Sequence, residues 1–175
     1  MITPIAKYTE KYLGMVEGYH FTDDVKNLRK GASTSRIIDD LEYVLNWFPN
    51  HHQALDAISR LAVREGTTRP QGADYDLECR FKWAHDVAPH DAMVYVIHGL
   101  YYARMSRNKE ARSALQKAVD MNPHHPEIQY NLGLVLYKLG DYEKARVHAR
   151  KAYELGYPLP GLKNLLKDAG YSLAD

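Results

Sequence analysis

The chain matches itself when it is shifted by 34 residues, and this internal repeat constrains the fold more than any other feature. The small residues that the shift superimposes are Gly99 on Gly133, Ala111 on Ala145 and Ala118 on Ala152. The larger pairs are Leu100 on Leu134, Tyr102 on Leu136 and Leu115 on Ala149. Small residues at fixed positions let two helix backbones approach, and the larger ones fill the space between them. A period of this length is typical of stacked repeats that bury a core only against their neighbours.

This pattern resembles the tetratricopeptide repeat. Residues 92–125 have the family's residue types at its spacing, namely Tyr95, Gly99, Tyr102, Ala111, Leu115, Ala118 and Pro123. Residues 126–159 repeat the pattern with Leu132, Gly133, Tyr142, Ala145 and Ala152. The second copy departs at Gln129, where the family has a large aromatic residue, and its closing Pro158 comes one place late. The resemblance implies an all-α fold, an α-solenoid of antiparallel helix pairs, with turns at residues 106–107 and 140–141.

The remaining segments fit this scheme less closely. We expect a degenerate repeat at residues 50–91, lengthened by a Gly- and Pro-containing loop at 65–74. Residues 22–49 predict a degenerate N-terminal helical hairpin, preceded by an N-terminal extension at 1–21. Residues 160–175 predict a C-terminal capping helix and tail, whose apolar stripe is Leu162, Leu165, Leu166 and Ala169. The expected fold is therefore about three repeats with a hairpin before them and a cap after them.

Composition and motifs argue against several classes of function. The formal net charge of +1 is too low for a general nucleic-acid-binding protein. The single cysteine, Cys79, offers no disulfide or cysteine metal cluster, and helix periodicity predicts that it is a small buried residue. No apolar run reaches the length of a membrane span. No GxSxG, HExxH, P-loop or GxGxxG motif is present, so we expect neither an enzyme nor a cofactor.

The chain also resembles a group of bacterial tetratricopeptide proteins, a likeness that implies no activity. The shared stretches are VEGYHF at 16–21, FPNHHQAL at 48–55 and GYPLPGLKNLLKDAG at 156–170. Members of that group often have export signals. The resemblance therefore favours a bacterial protein that is periplasmic or exported if a leader was removed, and cytoplasmic otherwise.

In the tetratricopeptide family the first helix of each repeat lines a concave groove that holds a partner. The expected groove residues in this chain are Arg60, Arg64, Val96, Leu100, Arg104, Tyr130, Asn131, Leu134, Tyr137 and Lys138. Arg64, Arg104 and Lys138 occupy equivalent places in three successive repeats, beside an apolar strip. This combination favours a protein or peptide partner, including an acidic one. The alternative interpretation is that these are ordinary solvated charges.

Nine histidines suggest a second function, a metal- or small-ligand-binding protein. Two histidine pairs, His51–His52 and His124–His125, lie at equivalent turns between repeats. Adjacent side chains on a turn diverge, whereas metal ligands must converge, so we predict hydrogen bonding or helix capping and no metal site. A third hypothesis is a regulatory module for an enzyme in trans. The repeat fold is also compatible with a subunit of a larger assembly.

Overall fold

The computed structural model describes residues 4–173, and the side chains of residues 10–173. Over this range the chain forms ten helices and no strand, which confirms the all-α prediction. The helices are α1 (Pro4–His20), α2 (Asp23–Lys26), α3 (Ile37–Trp47), α4 (His52–Glu65), α5 (Leu77–Val87), α6 (Ala92–Arg104), α7 (Asn108–Met121), α8 (Pro126–Lys138), α9 (Tyr142–Glu154) and α10 (Gly161–Asp168). Pro89 ends a first compact unit, and His90 begins a second.

The second unit contains two helix pairs, α6 with α7 and α8 with α9. The turn inside each pair has the same backbone geometry, 34 residues apart. Ser106 has a φ angle of +61° and Gly140 one of +78°, so both are left-handed, a conformation that favours glycine. The N–H of the next residue then closes the turn, from Arg107 to the Tyr102 carbonyl at 2.8 Å and from Asp141 to the Leu136 carbonyl at 3.0 Å.

Two glycines permit the closest helix contacts in this unit. A Cβ atom on Gly99 would lie 2.7 Å from Leu115 Cγ, because α7 packs directly on the α6 backbone there. A Cβ atom on Gly133 would lie 2.6 Å from Leu162 Cδ2, so the equivalent place in the next repeat receives a leucine from α10. Leu115 falls on Ala149 in the 34-residue shift, and the smaller alanine leaves room for the α10 side chain.

Helix α10 covers this end of the second unit through two of its four predicted stripe residues. Leu162 and Leu166 are fully buried, and they share a hydrophobic cluster with residues of α7, α8 and α9. Leu165 is 39% exposed and Ala169 is half-buried, so the buried part of the stripe is narrower than predicted.

The first unit differs from the predicted hairpin at residues 22–49. The expected first helix of that hairpin is a single turn, α2, after which Leu28 adopts a left-handed φ of +56° that ends helical geometry. Helix α1 packs on α3, although the predicted extension at 1–21 included no helix. Residues 1–3 of that extension and residues 174–175 of the predicted tail lie outside the described residues.

A buried carboxylate organises the segment before α3. Asp40 accepts hydrogen bonds from the Ala32 N–H at 2.7 Å, the Thr34 hydroxyl at 2.9 Å and His20 Nδ1 at 2.8 Å. The His20 ring in turn stacks on Tyr43, with 3.9 Å between ring centroids. Burial alone would raise the pKa of Asp40, but these hydrogen bonds outweigh it and lower the pKa below its ordinary value.

Acidification is therefore expected to destabilise the protein through Asp40. Because the folded-state pKa is lowered, the unfolded chain binds this proton at a higher pH than the folded protein does. The stabilisation is complete above the unfolded pKa of about 3.9, and it is lost as the pH falls below that value and through the lower pKa of the folded state. Urea unfolding followed by circular dichroism should show a weaker pH dependence below about pH 4 for Asp40→Asn than for the wild type. Asp168→Asn, which changes an exposed carboxylate on α10, is the control and should retain the wild-type dependence.

Arg80 is the largest fully buried side chain of the first unit, and its charge is neutralised inside the protein. Its Nη2 donates to Glu42 Oε1 at 2.7 Å, with both side chains nearly excluded from solvent, at 1% and 6% exposure. Its Nη1 donates to Asn46 Oδ1 at 2.6 Å. The guanidinium also lies against the rings of Tyr75 and Trp83, at 5.3 and 5.4 Å from their centroids. The pair therefore links α3 to α5.

The same carboxylate secures the lengthened loop between α4 and α5. Helix α4 ends at Glu65 and α5 begins at Leu77, so the predicted loop at 65–74 lies almost wholly in the non-helical connection. Glu42 accepts the Asp74 N–H at 3.0 Å through Oε2. The loop is therefore bonded to the Glu42 side chain, which also pairs with Arg80 and so joins α3 to α5.

Candidate functional site

Two of the predicted groove residues, Arg60 and Arg64, have structural partners in the first unit. Arg60 Nε donates to Asp56 at 2.8 Å, and its Nη2 donates to the Lys26 carbonyl at 2.7 Å. Arg64 Nη1 donates to the Leu28 carbonyl at 3.1 Å. Both guanidinium groups thus satisfy carbonyls at the end of α2. They stabilise the N-terminal segment, and this use competes with the predicted contact to a partner.

Three predicted groove residues of the second unit are buried, which corrects their assignment to an accessible surface. Val96 is 1%, Tyr130 7% and Asn131 8% exposed. The Tyr130 ring stacks on Tyr157, with 4.0 Å between centroids, and its hydroxyl lies 2.9 Å from where a Cβ atom of Gly161 would be. The segment that leads into α10 therefore covers Tyr130, and a partner cannot reach it in this structure.

The other five predicted residues form a surface on neighbouring first helices of the second unit. Helices α6 and α8 contact each other, and we call this surface the first-helix face, defined by Leu100, Arg104, Leu134, Tyr137 and Lys138. The two leucines and Tyr137 are half-buried, whereas Arg104 and Lys138 are exposed. Each cation lies in the last turn of its helix, where positive charge is favoured by the helix dipole. Two of the three predicted cations thus occupy equivalent ends of adjacent helices.

Sequence reasoning missed a cleft of about 450 Å³ between the second helices of the two pairs. Its polar lining is Arg112, Ser113, Gln116, Lys117, Lys144 and His148, over the buried Leu136. The polar residues of this lining are not among the small and apolar core positions of the repeat, and solvated charge is ordinary at such surface positions. The spacing of these residues in the sequence was the signal that could have found the cleft. Arg112 and Gln116, Ser113 and Lys117, and Lys144 and His148 are each four residues apart, so each pair lies on one face of its helix.

A second cleft, of about 460 Å³, lies beside the segment that precedes α10. Tyr153, Tyr157, Pro158 and Pro160 form most of its walls, together with Arg150, Glu154, Lys163 and Leu173. The Tyr153 hydroxyl donates to the Leu159 carbonyl at 3.0 Å and accepts the Lys163 N–H at 3.1 Å. Tyr153 therefore stabilises the connection between α9 and α10. The walls of this cleft thus serve the packing of that connection.

The histidine turns are used for helix capping at one of their two sites. His51 Nδ1 accepts the Ala54 N–H at 3.1 Å, so its proton is on Nε2, which donates to Glu17 at 2.9 Å. His125 occupies the same position before α8 without a side-chain cap bond. Among the described residues, no group of three or more His, Cys, Asp or Glu side chains is placed to hold a metal ion.

Cys79 is half-buried, not fully buried as predicted. Desolvation, followed by the neighbouring Asp76, raises the pKa of its thiol, which disfavours the reactive thiolate. None of the helices in the described part of the chain combines the length and the apolar character that crossing a bilayer requires.

Comparison with known proteins agrees with this architecture. Residues 98–157 match the family model of the tetratricopeptide repeat. Over 75 residues the chain is 33% identical to a peroxisomal targeting signal receptor of Candida albicans, a stretch that covers 43% of this chain and 12% of the receptor. The fold is similar to that of PilF from Pseudomonas aeruginosa, with a TM-score of 0.64 and 18% identity over 94% of this chain and 68% of that one.

A thermophilic tetratricopeptide protein of Thermus thermophilus has a TM-score of 0.59 and 18% identity, over 91% of this chain and 80% of its own. At such identities the structural likeness shows the fold alone. The family match covers most of the two helix pairs of the second unit, α6 with α7 and α8 with α9. Residues 98–157 therefore contain the tetratricopeptide repeat, and the described chain has the antiparallel helix-pair fold of the solved structures it resembles.

Proposed function

We propose that the protein is a non-enzymatic adaptor or assembly factor that binds an acidic peptide or protein segment on the first-helix face. Tetratricopeptide repeats are generally scaffolds for protein–protein interaction and are typically not enzymes. The observation that carries the proposal is the pairing of Arg104 and Lys138 with half-buried apolar side chains on the adjoining helices α6 and α8.

The two kinds of residue on this face have separate roles in the proposal. Leu100, Leu134 and Tyr137 present partly buried apolar surface, which a partner side chain can cover with little change in the fold. Arg104 and Lys138 supply positive charge in the same repeat position, which selects acidic residues and steers their approach. Arginine and tyrosine are the residue types most often found at binding hot spots.

Charge reversal on this face tests the proposal. We expect Arg104→Glu with Lys138→Glu to weaken capture of the partner at least tenfold, because attraction becomes repulsion at both positions. Partner capture from an extract of the source organism identifies the bound protein, and surface plasmon resonance at two salt concentrations then measures its affinity. The dependence of the association rate on salt should also fall in the variant, since electrostatic steering is lost.

Lys109→Glu with Lys151→Glu is the matched control. It changes the net charge equally, through exposed lysines on the second helices α7 and α9. The proposal requires that this control bind within about twofold of the wild type at the higher salt concentration. Equal weakening by both variants, or unchanged binding by the Arg104 and Lys138 variant with intact helices, would place the partner on another surface. An enzyme among the captured partners whose activity changes on binding would favour the regulatory hypothesis.

A further inference from the structure

The cleft between α7 and α9 has more positive charge than its surroundings neutralise. Arg112, Lys117 and Lys144 line it, and the Asp141 carboxylate bonds one of them, Lys144, at 2.7 Å. Arg112 lies near enough to the same carboxylate to help lower the pKa of Asp141, after the larger effect of Lys144. Among the described residues, neither Arg112 nor Lys117 has a carboxylate within ion-pair distance. Asp141 thus pairs with Lys144 and lies near Arg112, so it does not neutralise all three cations.

The neutral groups of the cleft are mainly hydrogen-bond donors or already bonded. The Gln116 side-chain amide donates to Asp120 at 2.9 Å, which leaves the Ser113 hydroxyl as the neutral donor on α7. Lys117 lies over the Tyr95 ring, with 5.6 Å from Nζ to the centroid, so its side chain is placed while its ammonium protons stay available. The lining therefore has donors in excess over acceptors, as an oxyanion requires.

His148 also lines the cleft, and its free ring nitrogen donates a hydrogen bond only when the ring is protonated. Gln129 Nε2 donates to the Pro123 carbonyl at 2.7 Å, so Gln129 Oε1 is the acceptor for His148 Nδ1 at 2.6 Å. The Nδ1 proton is thereby fixed, and Nε2 is the nitrogen that gains or loses a proton. Burial, and then the charge of Lys151, lower the pKa of His148 and so favour the neutral ring.

We propose that this cleft binds a phosphate-class oxyanion, either free phosphate or the phosphoryl group of a larger small molecule. Arginine binds such groups in a bidentate manner, and lysine contributes point charge beside it. The cleft volume of about 450 Å³ lies in the range of small-ligand sites. An extended nucleic-acid backbone does not fit, since the chain has a net charge of only +1.

Titration of the full-length protein with inorganic phosphate and with O-phosphoserine, at constant ionic strength, tests the proposal. Two-dimensional NMR should show saturable shifts in backbone amides of α7 and α9 and in the His148 ring. The pKa of His148, measured from its ring signals, should rise when the anion binds. The charged side chains that line the cleft with this ring are Arg112 and Lys117 on α7 and Lys144 on α9. Asp141 bonds Lys144, and Asp120 bonds Gln116. Lys151 on α9 acts on the ring itself, and α8 presents the neutral Gln129. Tighter binding of phosphoserine identifies a phosphoryl group on a larger molecule as the ligand, and tighter binding of phosphate identifies the free anion.

Matched variants separate a site from general charge attraction. Arg112→Gln with Lys117→Gln should weaken phosphate binding at least tenfold. Lys109→Gln with Lys167→Gln removes the same charge from exposed positions outside the cleft and should leave the affinity within twofold. Shifts that do not saturate, or equal weakening in both variants, would overturn the proposal. The cleft shares no residue with the first-helix face, so failure here leaves the acidic-partner proposal to its own test.

Discussion

Replacing Leu162 and Leu166 together by aspartate is expected to destabilise the protein by about 5 kcal/mol or more. Both leucines are fully buried, and truncating one buried leucine already costs about 2–5 kcal/mol. Aspartate adds the cost of placing an unpaired charge in an apolar cluster. Urea unfolding followed by circular dichroism should show an earlier transition, with loss of helix from the second unit.

Leu165→Asp is the control on the same helix, because Leu165 is 39% exposed while its two neighbours in the stripe are buried. Its effect should stay within about 0.5 kcal/mol, as for other surface substitutions. If the double variant kept the wild-type midpoint, α10 would not be part of the folded core. If Leu165→Asp were equally damaging, the helix would be sensitive to charge in general and the two buried contacts would not be responsible.

Arg80→Ala is expected to destabilise the first unit by about 3–5 kcal/mol, the typical cost of removing one partner from a buried ion pair. The substitution leaves Glu42 buried without its guanidinium partner, and it removes the bond to Asn46. Chemical denaturation monitored by the fluorescence of Trp83, whose ring lies against Arg80, reports on this unit directly. Lys82→Ala breaks an exposed pair with Asp86 on the same helix and should cost about 1 kcal/mol or less.

A second variant distinguishes loss of charge balance from loss of packing. In Arg80→Met with Glu42→Gln the buried charges are removed together, so stability should recover part of the loss seen in Arg80→Ala. A double variant no more stable than Arg80→Ala would mean that the aromatic contacts and side-chain volume of Arg80 dominate. The charge account would then be wrong.

The repeat region could be predicted from sequence because its signal is local and periodic. Gly99 and Gly133 mark places where another element touches a helix backbone, and a shift of the chain against itself reveals them. In the first unit the repeat signal is degenerate, and other contacts determine the structure. Asp40 bonds His20 from 20 residues away and Arg80 bonds Glu42 from 38 residues away, and neither contact leaves a periodic trace. Helix α1 and the shortening of α2 were missed for this reason.

The candidate site was predicted in part for a related reason. Repeat equivalence correctly identifies which helices present Arg104 and Lys138, because both follow from the period. It could not show that Tyr130 is covered, since the covering residues Tyr157 and Gly161 belong to the segment after the repeats. The cleft between α7 and α9 was missed because its residues come from two helices and no single helix distinguishes them from solvated charge.

The exchange of Leu115 for Ala149 at equivalent positions also affects where the repeat array can be lengthened. In the α6–α7 pair, the space beside Gly99 is filled by Leu115 of α7. In the α8–α9 pair, the space beside Gly133 is filled by Leu162 of α10. The repeat at residues 126–159 therefore has a sequence that leaves room for a side chain of α10. Gene duplication could lengthen the protein by copying residues 92–125, because this repeat fills the space beside its glycine with its own Leu115. Copying residues 126–159 without α10 would leave an unfilled cavity beside the copied glycine. Duplication of the first repeat is therefore tolerated, whereas duplication of the second alone is destabilising.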